Sequence, residues 1–143
     1  MIRVIGLGSP FGDDQVGLRV IQLLTGHLPE TIDLVALDRP GSTLINWMQG
    51  VEHLVLIDAV RSGATPGELI RLDPTELDSG GARLTSHDLA LAETLRLAAT
   101  LGSLPPRVDI YAVEIDDSTD GQLSDVAEIA AARLATVLAG LGR

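Results

Sequence analysis

Residues 2–24, IRVIGLGSPFGDDQVGLRVIQLL, join two periodicities through one glycine-rich turn. The first part, residues 2–7, is a short apolar run with β-branched residues that ends in glycines, the pattern of a buried strand. Beyond the turn, Val16, Val20, Leu23 and Leu24 recur at helical spacing, and Gly26 marks the expected stop. Asp13 or Asp14 is the expected N-cap, because carboxylates suit a helix N-terminus.

The turn begins like a phosphate cradle and then departs from one. Gly6 and Gly8 fill the first two places of G-x-G-x-x-G, but Phe11 stands at the third. Asp13 and Asp14 would meet a pyrophosphate with like charge, and Pro10 lacks an amide donor. Asp38 lies too far along to be the usual ribose-binding acid. All ten basic residues are arginines, so neither a Walker-type lysine nor a lysine Schiff base is available.

The later segments extend the alternation. Residues 32–38, IDLVALD, read as a strand, 43–49 as a short helix, and 53–60, HLVLIDAV, as a central strand. Residues 68–73 alternate like an edge strand entered through a hairpin, and 74–84 read as a loop. Ser86 is the expected cap of a helix to about Leu101, and 107–115 form the last strand. Ser124 then caps a helix with the apolar stripe Val126, Ile129, Ala130, Leu134, Val137, Leu138 and Leu141. This order predicts one α/β domain over 1–143: a three-layer sandwich with helices on both faces of a mostly parallel sheet.

Composition narrows the function. With 45% hydrophobic but 2% aromatic residues, the core must be aliphatic. A net charge of -10 disfavours nucleic acid and anionic membrane surfaces. The absence of Cys excludes thiol catalysis and thiolate-bound metal. No apolar run approaches the roughly 18–20 residues of a membrane span. No leader pattern is read, and a cytoplasmic location is expected.

In parallel sheets, ligands bind beyond the carboxyl ends of the strands, where strand order reverses. The polar residues there are Asp13, Asp14, Asp38, Asp58, Glu114 and Asp116. Asp58 ends an apolar run, where a charge is costly unless paired or cation-bound; it is either a turn residue or a functional carboxylate. If the first and third strands are neighbours, Asp14 and Asp58 share one rim and repel unless a proton or cation lies between them. Of the three histidines, His27 ends a helix and His53 opens a strand, where it should be exposed. His87 starts a helix, which favours neutral imidazole, the ligand form. Asp14, Asp58 and His87 together would suit a divalent ion such as Ni, Zn, Mn or Fe.

Three stretches, GLGSPFGDDQVG (6–17), LIDAV (56–60) and TSHDLAL (85–91), occur in the order and at the intervals of the hydrogenase maturation endopeptidases, which the chain resembles over nearly its whole length. The resemblance implies a five-stranded twisted sheet and an aspartic-type peptidase. Such an enzyme removes a C-terminal extension from the large-subunit precursor of a nickel–iron hydrogenase after nickel insertion. It implies Asp14, Asp58 and His87 as metal contacts, with nickel carried by the substrate; a monomer is expected. Asp14 and Asp58 then act at the reaction centre, and Asp38 is a further candidate base or positioning group. Two positions differ from the family pattern. Ser9 stands where Asn is frequent, and Asp38-Arg39-Pro40-Gly41-Ser42 replaces Asp-Gly-Gly followed by Thr or Ser. The competing readings are a non-proteolytic metal- or nucleotide-binding module and an inactive homologue that chaperones the precursor.

Overall fold

A computed structural model describes residues 1–77, 91–116 and 121–142. Five strands form one sheet: β1 (Ile2–Gly8), β2 (Ile32–Asp38), β3 (His53–Val60), β4 (Leu69–Leu72) and β5 (Arg107–Glu114). Their order is β2-β1-β3-β5-β4. All neighbours are parallel except β4, which runs antiparallel to β5 at the edge. The hairpin-like β4 therefore pairs with the last strand and not with β3, which precedes it.

The sheet separates two aliphatic layers. One contains Ile5, Leu54, Leu56 and Ile110 packed on Leu44 and Met48 of a 3₁₀ helix (Gly41–Met48) and on Leu95 and Ala98 of α3 (Ala92–Thr100). The other packs Val4, Val55, Ile57 and Val113 on α1 (Val16–Leu24) and α4 (Asp125–Leu138). Strand alternation sends even-numbered β3 residues into the first layer and odd-numbered ones into the second. No helix of the described residues is long and apolar enough to cross a membrane.

The glycines of the opening turn serve close packing. A Cβ on Gly17 would lie 2.3 Å from the Leu7 carbonyl oxygen and 2.9 Å from that of Ile57; one on Gly6 would lie 2.2 Å from the Gly17 oxygen. Helix α1 thus rests directly on the backbones of β1 and β3. A Cβ on Gly8 would meet the Asp14 carbonyl oxygen at 2.2 Å, so chain already fills the space a phosphate would need.

Several local expectations change. Neither Asp13 nor Asp14 caps α1: both lie in a 3₁₀ turn, Gly12–Gln15, and the N-cap is Gln15, whose side chain makes no capping bond. Pro74–Leu77 is a helical turn, α2, not loop, because Asp73 Oδ1 accepts from the amides of Thr75 at 2.9 Å and Glu76 at 3.3 Å. Ser124 does cap α4, its Oγ accepting from the Ala127 amide at 3.2 Å.

The apolar stripe of α4 is displaced. Val126, Ile129 and Val137 are exposed, whereas Ala127, Ala130, Ala131, Leu134 and Leu138 are buried. Alanines allow α4 to approach α1, and the larger β-branched residues face out. His53 is half-buried, with Nε2 2.7 Å from Asp109 Oδ2. Asp109 also accepts from Arg71 at 2.9 Å and Arg107 at 3.2 Å, and these partners hold its carboxyl below the usual range despite burial.

Gly17→Ala should destabilise the fold by about 1–3 kcal/mol, because backbone rather than a flexible side chain must yield. Thermal denaturation beside Gly121→Ala, where a Cβ meets nothing within 4 Å, measures this; equal midpoints would disprove the tight contact.

Candidate functional site

β1 and β3 are neighbours with Gly6 opposite Ile57, so their carboxyl ends finish on one rim. β1 leads into α1 in the second layer, whereas β3 leads on through β4 to α3 in the first, which makes this the place where strand order reverses. A cavity of about 530 Å³ opens there. Leu7, Leu44 and Leu91 supply apolar wall, and Thr94 of α3 adds a hydroxyl.

Asp14 and Asp58 both line this cavity. The 3₁₀ turn after β1 delivers the first, and the even-numbered phase of β3 delivers the second. The Asp58 Oδ1 accepts from the Ala59 amide at 2.9 Å. Burial pushes the Asp58 carboxyl up to about 7; the Ala59 bond opposes this and the Asp14 charge adds to it. A carboxyl poised near neutrality can take or give a proton, or exchange it for a cation.

Asp13, its sequence neighbour, has a different fate. Its carboxylate is buried and accepts from Ser124 N and Oγ, both at 2.7 Å. It fastens the opening turn to the N-terminus of α4. Glu114 is likewise buried and accepts from the amide and hydroxyl of Ser62 in the loop after β3. Asp116 is exposed after β5.

Asp38 ends β2, exposed, and accepts from Arg39 Nε at 2.8 Å. It stands beside the cavity rather than among its lining residues. His87 lies outside the described residues. Among the described residues, no three His, Asp or Glu side chains converge for a metal; Asp14 and Asp58 form a pair of oxygen donors. Sequence reasoning noticed Arg39 as part of a departure from the family pattern but missed that Arg39 and Arg61 line the same cavity as the carboxylates. The β2 and β3 ends that carry them are the available signal.

The fold and site define an α/β domain with a carboxylate-bearing cavity at its strand-order reversal. The model of the hydrogenase maturation protease family matches residues 18–140. The hydrogenase expression/formation protein HupD of Thiocapsa roseopersicina is 30% identical, over 81% of this chain and 56% of its own. HoxM of Azotobacter vinelandii is 27% identical, over 83% and 60%. The chain thus spans somewhat under two thirds of the length of these curated relatives. Among solved structures, the hydrogenase 2 maturation peptidase of Thaumarchaeota archaeon SCGC_AB-539-E09 is 31% identical, with TM-score 0.71, covering 99% of this chain and 97% of that one. HybD of E. coli shares the fold at 24% identity and TM-score 0.74, covering 99% and 93%. The chain belongs to the hydrogenase maturation protease family.

Because the folded pKa of Asp58 lies above its ordinary 3.8, the folded protein retains a proton that the unfolded chain releases between about 4 and about 7. This stabilisation is complete below the ordinary value and is lost as pH rises through about 7. Asp58→Asn keeps an oxygen for the Ala59 amide and removes the loss. At pH 8 its Tm should exceed wild type by about 3 °C or more, with a flatter profile from pH 5 to 8; parallel profiles would refute the shift.

Proposed function

We propose that this chain is an aspartic-type endopeptidase that removes the C-terminal extension of a nickel-loaded hydrogenase large-subunit precursor. The observation that carries this reading is the pair Asp14 and Asp58 in one cavity, with the Asp58 carboxyl raised to about 7. Family membership supplies the reaction class. The chemistry of the donors supplies the rest: two carboxylate oxygens, with His87 as the expected imidazole, suit a divalent ion brought in by the substrate.

In this reading the precursor's nickel docks on Asp14, Asp58 and His87, which presents the adjacent peptide bond to the rim. A water held by a rim carboxylate attacks the carbonyl carbon. The carboxylate takes the water's proton, and the proton then passes to the leaving amine as the C–N bond breaks. The chain has no Cys and no Lys to form a covalent intermediate. Asp38 can act as base or positioning group only after leaving Arg39. The enzyme is proposed to work in the cytoplasm as a monomer, on the precursor alone and without nucleic acid or membrane.

The test is incubation with nickel-loaded and nickel-free precursor, followed by mass spectrometry. Wild type should shorten only the loaded form, and Asp14→Ala, Asp58→Ala and His87→Ala should each lower the rate by about 100-fold or more while remaining folded by circular dichroism. Cleavage of the nickel-free precursor at the same rate would overturn the docking role.

A further inference from the structure

Arg39 is the one non-glycine residue with positive φ among the described residues, at 43°. Bulky side chains avoid this conformation, and Pro40 disfavours it further by pressing the preceding residue toward extended backbone. The strained backbone is held by the Arg39 amide, which donates to the Gly8 carbonyl at 3.0 Å. The effect is to place Arg39 in the cavity lining, while Asp38 beside it stays outside. Its Cζ lies 5.9 Å from the centre of the Phe11 ring. Phe11 is the chain's single phenylalanine, and it is 64% exposed. The Arg39 side chain is 65% exposed and its ion pair with Asp38 faces water, so exchanging that partner is easy.

The molecule as a whole repels anions, with net charge -10. Two of its ten arginines nevertheless line this cavity. We propose that Arg39 is a specificity-determining residue that binds a peptide carboxylate of the substrate, with Asp38 as its stand-in in the free enzyme and Phe11 as an apolar platform beside it. The carboxylate can belong to an acidic side chain near the cut or to the extension's own terminus. Its arrival releases Asp38 toward the rim. This inference rests on the peptidase reading above.

The test is binding, so it does not depend on processing. Three tripeptides are titrated into ¹⁵N-arginine-labelled protein: Ac-Ala-Glu-Ala-NH₂, Ac-Ala-Ala-Ala-OH and Ac-Ala-Gln-Ala-NH₂. The Arg39 Nε–H resonance should shift saturably with one or both of the first two, which identifies the source, and not with the third. Arg39→Gly and Arg39→Asn both tolerate positive φ, so their Tm should match or exceed wild type, while peptide affinity falls about tenfold. No saturable shift, an equal response to the glutamine peptide, undiminished affinity in both variants, or a lowered Tm in both would overturn the proposal. Failure of the peptidase reading would show separately, as loaded precursor left uncut by wild type while the peptide result stands.

Discussion

The contact between Gly17 and the backbones of β1 and β3 governs the site. With the Gly17 Cβ position only 2.3 Å from a β1 carbonyl oxygen, α1 sits lower on the sheet than a side chain would permit. The chain between Gly8 and Val16 must then close in a tight 3₁₀ turn. In that turn two adjacent carboxylates cannot point the same way. Asp13 goes inward to Ser124, and Asp14 goes to the rim. A glycine-rich turn with a negative charge therefore presents a single carboxylate, and its neighbour holds the turn in place.

Asp58 and Asp109 show what surroundings do to one residue type in a single sheet. Asp109, near the start of β5, is enclosed by His53, Arg71 and Arg107 and stays ionised. Asp58, near the end of β3, is pushed up by burial and by the like charge of Asp14 against the opposing Ala59 amide, so it holds a proton toward neutrality. The first is a structural anchor whose countercharges are built in. The second is assigned no countercharge among the described residues.

Much of the fold was legible. The strands at 32–38 and 53–60 match their expected bounds; the second is central and well covered, and such parallel strands read as nearly continuous apolar runs. The neighbouring of β1 and β3 brought Asp14 and Asp58 together as expected. The errors have physical causes. Helix α4 was phased by its largest apolar residues, but alanine wins where two helices press together. The role of Asp13 was hidden because its partner lies 111 residues away. The burial of His53 depends on Asp109, two residues along a strand that no local pattern links to it. Arg39 was visible as a charge, yet its place over the cavity follows from a left-handed backbone that sequence does not announce.

The exposed face of α4 has a colloidal consequence. Val126, Ile129 and Val137 present an apolar strip to water on a molecule carrying a large excess of negative charge. Mutual repulsion keeps such strips from meeting in dilute neutral buffer. Strong salt shortens the reach of that repulsion, and acid discharges the carboxylates that generate it. Under either condition the strip becomes the adhesive part of the surface, so the acidic coat works as the dispersant for a helix whose better-packed side is built from alanine.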